Sequence, residues 1–176
     1  MLSMFAMGRV IVILCALAAT AHATVRVFES KQHCVTEGDA VLATDPETAY
    51  RTVTDYQRWL TMFRNVRSAI LLHQASATEA KVRFVHDDGS HDDLHFKNQP
   101  QSRTMWFEQL GGDAEVKAEI SFYPGAAPGT CLVHTKFYAD VKGVKSWFVD
   151  DDDITKKRQA QVRDDLTQLQ AYFARK

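Results

Sequence analysis

Several features that mark particular protein classes are scarce in this sequence. It has three cysteines, four prolines and eight glycines among 176 residues, which excludes a collagen-like or low-complexity chain. The 21 basic and 22 acidic side chains leave a formal net charge of −1. Such a balance gives no electrostatic reason to expect a nucleic-acid partner. The length and the 45% hydrophobic content suit one globular domain with a core of its own.

Motifs of several enzyme classes are also missing. The sequence has no Gly-x-Ser-x-Gly nucleophile motif, and Gly111-Gly112 is too short for a phosphate-binding loop. Neither Cys34 nor Cys131 lies in a local signature of a catalytic cysteine. No catalytic residue is therefore assigned and no cofactor is expected. An acid–base pair stays open, because the sequence does not show which side chains are close in space.

The N-terminal segment has the layout of an export signal. Arg9 precedes an uncharged apolar run from Val10 to Ala19, and Ala21-His22-Ala23 has the small-x-small pattern that signal peptidase cleaves. The run is shorter than the about 20 residues that cross a membrane, which favours a signal peptide over an anchor. We therefore expect residues 1–23 to be removed and residues 24–176 to form one exported domain, periplasmic or secreted.

The next segment predicts strands followed by helices. Val25–Phe28 and Cys34–Ala43 favour short strands. Thr44-Asp45-Pro46-Glu47 is a helix start, because proline suits the first turn and an acid there complements the helix dipole. We expect one or two helices between about residues 46 and 64.

Strand patterns then follow in series up to residue 141, separated by short turns. The clearest alternation puts Val116, Ala118 and Ile120 on one side of a strand, with charged residues between them. That pattern is typical of a strand with one buried and one solvated face. Consecutive strands joined by short turns predict an antiparallel meander. On the last strand, His134 and Lys136 are expected to face solvent.

The C-terminal segment predicts a long amphipathic helix that covers the apolar face of the sheet. From Ile154 onward, an apolar stripe recurs at helical spacing at Val162, Leu166, Leu169 and Phe173. The predicted polar face holds Lys156, Lys157, Arg163, Asp164, Asp165 and Gln168.

Element order and one stretch of sequence resemble the START-like superfamily, also called SRPBCC or helix-grip proteins. The stretch runs from Ala49 to Trp59 and on from Met62 to Ala69; Asp55-Tyr56 is followed by an aromatic residue three positions later. Within the superfamily it is most similar to the polyketide cyclase, lipid-transport and coenzyme Q-binding branch. The resemblance implies an α+β helix-grip fold: a curved antiparallel sheet of about six or seven strands wrapped round a long C-terminal helix. One or two short helices would follow the first strand.

The resemblance also implies a cavity between sheet and helix that holds a lipid, sterol, quinone or polyketide-like molecule. Such a cavity needs a wide apolar lining, although any single aromatic residue is more often part of a filled core. The candidate lining residues are Trp59, Phe63, Phe84, Phe96, Trp106, Phe122 and Phe137, with Val162 and Leu166 facing them from the helix. The expected partner is thus a hydrophobic small molecule, and transient membrane contact during ligand exchange is left open.

A cluster of histidine and acidic residues runs from His86 to His95. Both residue types bind Zn²⁺ and other divalent ions. However, Asp88-Gly89 is a hairpin turn signal, and no recognised ligand spacing is present. A solvated turn is therefore favoured over a metal site. Asp150–Asp153 lacks the spaced ligands of a calcium loop and is better explained as a helix start.

The family layout implies that the strand at Cys34–Ala43 pairs antiparallel with the strand at Cys131–Val141. Cys34 would then lie near residue 140, about 30 Å from Cys131 at about 3.3 Å per residue. A disulfide needs Cα atoms less than about 7 Å apart. We therefore expect both cysteines to remain thiols, although export would permit a disulfide.

Three functions compete at this point. The favoured one is an exported binder or carrier of a hydrophobic small molecule. The second is an enzyme, cyclase-like or hydrolase-like, which predicts an acid, histidine or tyrosine with a shifted pKa inside the cavity. The third is a non-catalytic envelope interaction module, which predicts a filled core and an exposed apolar patch.

Overall fold

The computed structural model describes residues 25–30, 34–111, 114–141 and 151–175. The predicted signal peptide, residues 1–23, lies outside these residues. The strands are β1 (Arg26–Glu29), β2 (Val35–Leu42), β3 (Val66–Ser76), β4 (Glu79–His86), β5 (His91–Gln99), β6 (Thr104–Gln109), β7 (Ala114–Pro124) and β8 (Cys131–Val141). The helices are α1 (Pro46–Thr54), α2 (Trp59–Met62) and α3 (Asp151–Phe173), with a 3₁₀ turn at Tyr56–Arg58.

All eight strands form one antiparallel sheet in the order β1-β2-β8-β7-β6-β5-β4-β3. The predicted α+β helix-grip architecture is confirmed, with eight strands where about six or seven were expected. Strands β3 to β8 follow one another as the predicted meander, and β2 pairs with β8 at its end. The face that packs against α3 is called the inner face below.

The helices between β2 and β3 begin where the sequence indicates. Asp45 caps α1 by accepting a hydrogen bond from the Thr48 backbone N–H at 2.9 Å, and Pro46 occupies the first turn. This hydrogen bond holds the pKa of the Asp45 carboxyl below its usual value. The buried face of α1 carries Ala49, Tyr50 and Val53. It packs mainly against β7, so it fills one end of the inner face.

Helix α3 lies closest to β2, where the sheet carries a glycine on its inner face. A Cβ at Gly38 would lie 2.6 Å from Val162 Cγ1 and 2.8 Å from Leu166 Cδ1. Only a glycine therefore lets the helix approach the strand at this distance. Arg158 holds the helix from the same side, because its guanidinium donates to the Ala139 carbonyl oxygen at 3.1 Å and to Glu29 Oε1 at 3.0 Å.

The register of β2 and β8 separates the two cysteines as expected. Cys131 is paired with Leu42, whereas the Cys34 carbonyl oxygen accepts a hydrogen bond from the Ala139 N–H. They lie at opposite ends of the strand pair, and no disulfide joins them. Strand β2 begins one residue later than predicted, because Cys34 has a left-handed backbone with φ of 59°.

The outer face of β8 agrees with the sequence prediction. Lys136 is exposed, and His134 is partly exposed beside two acids on β2. Its Nδ1 lies 2.7 Å from Asp39 Oδ1, and its Nε2 lies 3.5 Å from Glu37 Oε2. These contacts account for the polar residues that alternate with the buried ones along β8.

Candidate functional site

A cavity of about 680 Å³ lies between the inner face of the sheet and α3. The sheet contributes an apolar wall from its central strands, consisting of Phe84, Leu94, Phe107, Val116, Ala118, Ile120 and Phe137. The helix contributes Val162, Leu166 and Leu169 from its apolar stripe. The cavity forms because α1 covers only one end of the inner face. At the other end, α3 and the aromatic residues around α2 enclose a space instead of filling it.

Trp59 forms the end wall of the cavity next to α2. Its ring stacks on Phe84 with the centroids 4.6 Å apart, and its indole N–H donates to the Val53 carbonyl oxygen at 2.8 Å. Phe63 packs edge-on against Trp59 at 5.1 Å. Because the only polar atom of the Trp59 side chain is already satisfied, the ring presents an apolar surface to the cavity.

Six of the nine predicted lining residues border the cavity: Trp59, Phe63, Phe84, Phe137, Val162 and Leu166. The structure places these six around one space. Whether they bind a ligand stays a prediction.

The other three predicted lining residues do not border the cavity, and the reason differs from one to the next. Phe96 is fully buried among aromatic rings, with its centroid 4.4 Å from that of Tyr56. Phe122 is fully buried beside Tyr50, under α1 rather than α3. Trp106 alternates with Met105 and Phe107 along β6 and therefore points to the outer face, where the Lys97 ammonium lies 5.7 Å from its ring.

The opening of the cavity is polar, and the histidine–acid cluster at the β4–β5 turn forms much of it. Its lining members are His86, Asp87, Asp88, Ser90, His91 and Asp92. The turn is solvated, as predicted, but the sequence did not indicate that it borders a cavity. The clue was available in the meander itself, because a turn between two inner-wall strands must lie at an edge of the inner face.

Hydrogen bonds order one side of this opening. His86 Nε2 lies 2.8 Å from Asp92 Oδ2, and Gln109 Nε2 donates to Asp92 Oδ1 at 3.0 Å. Asp88 accepts hydrogen bonds from the backbone and hydroxyl of Ser90, and these hold the pKa of its carboxyl below the usual value. Among the described residues, no three histidine, cysteine or acidic side chains are grouped so as to hold a metal ion.

Asp165, which was predicted on the polar face of α3, is half-buried and lines the cavity. Burial raises its pKa to about 7; a hydrogen bond from Gln161 Nε2 at 2.9 Å opposes the rise, and neighbouring Asp164 adds to it. Gln168, assigned to the same polar face, is also buried, and its Oε1 accepts from the Arg64 backbone N–H at 2.7 Å. The polar face of α3 is narrower than helical spacing suggested, because the cavity and α2 cover its flanks.

No helix of the described residues is long and apolar enough to span a membrane. No protein-family model and no curated protein sequence matches the chain. Solved structures of the same fold are numerous, and three of them are informative.

A di-domain aromatase/cyclase, BexL, from the BE-7585A biosynthetic pathway superposes with a TM-score of 0.69 at 14% identity, covering 78% of this chain and 45% of that one. This chain thus spans less than half of the two-domain protein. A START superfamily protein from Mycobacterium smegmatis gives 0.66 at 14% identity, over 80% of this chain and 97% of that one. The ZhuI aromatase/cyclase from Streptomyces sp. R1128 gives 0.62 at 12% identity, over 86% and 95%. The chain therefore shares the helix-grip fold of START superfamily and aromatase/cyclase structures.

Proposed function

We propose that this protein binds a hydrophobic small molecule in the cavity between the sheet and α3. The observation that carries the proposal is the cavity itself, about 680 Å³ in volume with a wall of aromatic and aliphatic side chains. Ligand sites are commonly about 300–1,000 Å³ and mostly apolar. Burial of an apolar ligand there contributes about 25 cal/mol per Å², offset by the cost of association.

The structural neighbours support the same proposal. Two of them are aromatase/cyclases and one is a START superfamily protein. Together with the family resemblance of the sequence, they make polyketide-like aromatics, quinones, sterols and lipids the ligand classes to test first. A fold hosts many functions, so the cavity lining, and not the fold, has to identify the ligand.

The proposal includes export, with residues 1–23 acting as a signal peptide. Its support is the order of Arg9, the apolar run and the Ala21-His22-Ala23 site. An exported binder would take up or hold its ligand outside the cytoplasm, in the periplasm or the medium.

An interaction module with a filled core fits the structure less well. A filled core leaves no room for a cavity of about 680 Å³. Ile70, Leu71 and Leu72 on the edge strand β3 are exposed, as that alternative expects. The cavity nevertheless favours a ligand-binding role.

An enzyme acting on such a ligand is the second candidate, and Asp165 is the observation that favours it. This alternative predicted a shifted titratable group inside the cavity, and the pKa of Asp165 is raised to about 7. A group that titrates near neutral pH suits general acid–base work. The test is mass spectrometry of a bound ligand before and after incubation with the protein and with Asp165→Asn. Chemical change that depends on Asp165 would establish catalysis, and an unchanged ligand would exclude it for that compound.

Fluorescence of Trp59 provides a direct test of ligand binding. In the double variant Trp106→Phe/Trp147→Phe, the remaining tryptophan is Trp59 in the cavity wall. The neutral apolar probe N-phenyl-1-naphthylamine should quench its emission in a saturable way as the probe's own emission rises. A matched variant that keeps only Trp106, on the outer face, should show much weaker quenching.

A variant whose larger side chain fills the cavity provides the control for this binding test. Ala118 lines it on β7, and the adjacent Glu119 is exposed on the outer face. Ala118→Phe should abolish probe binding, whereas Glu119→Phe should leave it intact. Absence of saturable binding, or binding that survives Ala118→Phe in a folded protein, would contradict the proposal.

A further inference from the structure

The charged groups that line the cavity are all of one sign apart from two histidines. The lining carries four carboxyl groups, on Asp87, Asp88, Asp92 and Asp165, whereas its described residues include no lysine or arginine. A ligand whose polar end is a carboxylate or phosphate would meet these acids without a strong cation to balance it. The lining thus discriminates between ligands by the charge of their polar end.

Hydrogen bonds within the protein already engage two of these four carboxyl groups. Asp92 is engaged by His86 and Gln109, and Asp88 is engaged by Ser90. Asp87 is an exposed turn residue at the opening. Asp165 differs from them, because it is partly buried on α3 and faces the space across which the turn lies.

Asp165 has unused capacity to accept hydrogen bonds. Its Oδ1 accepts from Gln161 Nε2 at 2.9 Å, and its Oδ2 has no protein partner among the residues that the structure describes. Besides Gln161, its neighbours in the lining on the same helix are the apolar Val162, Leu166 and Leu169. A ligand with an apolar body against these side chains would bring a terminal donor group to the carboxylate.

We propose that the ligand is an apolar molecule that carries an amine at its polar end, and that Asp165 binds the ammonium group inside the cavity. The inference rests on the proposed function, because it names the class of ligand for that same cavity. A carboxylate and an ammonium form a hydrogen bond in which both partners are charged, which is stronger than the bond from a neutral hydroxyl to the same carboxylate. The surrounding acids repel the carboxylate-ended analogue.

The titration of Asp165 predicts the direction in which ligand affinity changes with pH. Because its carboxyl has a pKa of about 7 without ligand, an ammonium ligand binds better as the pH rises and the carboxylate forms. If only the carboxylate binds, affinity should increase by up to about 30-fold between about pH 5.5 and about pH 8. The other titratable groups that line this space belong to the β4–β5 turn: His86, His91, Asp87, Asp88 and Asp92. Asp164, next to Asp165 on α3, is exposed and pairs with the guanidinium of Arg64 at 3.1 Å.

The test uses three probes that share one chain and differ in the polar end: n-decylamine, n-decanol and n-decanoate. Each displaces N-phenyl-1-naphthylamine from the full mature protein at about pH 8, and the midpoints give relative affinities. We expect decylamine to bind at least about tenfold more tightly than decanol, and decanoate to bind most weakly. Isothermal calorimetry in two buffers of different ionisation enthalpy should show that decylamine releases a proton near neutral pH.

Two variants that each remove one carboxylate from α3 test whether Asp165 is the source of the amine preference. Asp165→Asn should abolish the preference for the amine over the alcohol and most of the proton release, while decanol still binds. Asp153→Asn removes an exposed acid outside the lining and should preserve both.

The possible outcomes are distinguishable. Equal affinity for the three probes, tighter binding of decanoate, or an amine preference that survives Asp165→Asn would overturn the inference and leave the proposed function standing. The inference would also be overturned if decylamine, decanol and decanoate all failed to displace the bound naphthylamine probe. If the naphthylamine probe itself does not bind, the proposed function fails.

Discussion

Asp165 shows how a single residue's surroundings decide its role. Helical spacing places it at the flank of the apolar stripe, since it follows Val162 by three positions and precedes Leu169 by four. In the folded chain all three side chains line the same cavity. Burial then raises the pKa of the Asp165 carboxyl, so a residue that would be an ordinary surface acid becomes the most unusual titratable group of the site. The spacing to Val162 and Leu169 is the signal that the sequence offers, and the tertiary structure supplies the cavity beside it.

Cys131 is buried at the end of β8, and burial raises the pKa of its thiol to about 11. A thiol with that pKa is about one part in a thousand thiolate at about pH 8, and the thiolate is the form that reacts. We predict that iodoacetamide at this pH leaves Cys131 unlabelled in the native protein and labels it fully in concentrated guanidinium. Peptide mass spectrometry measures the labelled fraction.

Rapid labelling of Cys131 in the native state would contradict its burial. A peptide pair joined by a disulfide between Cys34 and Cys131 would contradict the register of β2 and β8.

At the scale of elements, the alternation of side chains along each strand determined which predictions succeeded. Phe84 and Phe137 occupy inward positions on β4 and β8 and line the cavity. Trp106 is equally apolar but is one position out of phase with Phe107, so it lies on the outer face. From composition alone, these three aromatic residues are equal candidates for the cavity lining. The strand register decides which of them face the cavity.

The contact between α3 and β2 depends on Gly38. A methyl group there would lie within 2.8 Å of both Val162 and Leu166. We predict that Gly38→Ala lowers the free energy of unfolding by about 1–3 kcal/mol, the usual cost of overpacking a core. Urea denaturation followed by circular dichroism measures the change.

A double variant tests the reason for this loss. Val162→Ala removes the atom nearest to the new methyl group, so Gly38→Ala/Val162→Ala should be less destabilised than the sum of the single variants. Strict additivity would show that crowding against α3 is not the cause.

At the scale of the whole molecule, the position of α1 determines where the cavity lies. Helix α1 packs against the β7 end that carries Phe122, so that residue belongs to the filled part of the core. The remaining space opens at the β4–β5 turn. A sequence-based prediction of apolar lining could not separate the two ends, because both consist of similar side chains on the same inner face.

Export is a prediction about the whole chain. We expect the protein expressed with its full sequence in a Gram-negative host to accumulate in the periplasm and to begin at Thr24, because cleavage follows Ala23. Intact-mass measurement of the periplasmic fraction identifies the N-terminus. Replacement of Ala21 and Ala23 by bulky leucines should retain the unprocessed chain. A processed product in spite of this change, or full-length protein in the cytoplasm, would contradict the prediction.

The sequence by itself determined the order of the elements and the amphipathic character of α3, because these depend on local periodicity and turn chemistry. The helix-grip arrangement of those elements was what the family resemblance implied. The sequence also indicated six of the residues around the cavity, because the resemblance implied an apolar lining and the helical stripe of α3 can be read from spacing. Only the tertiary structure decided that Phe96, Phe122 and Trp106 lie elsewhere. It likewise decided that Asp165 and the histidine–acid turn line the same cavity. The physical reason is that register, the placement of α1 and the approach of α3 over Gly38 depend on contacts between residues far apart in the chain.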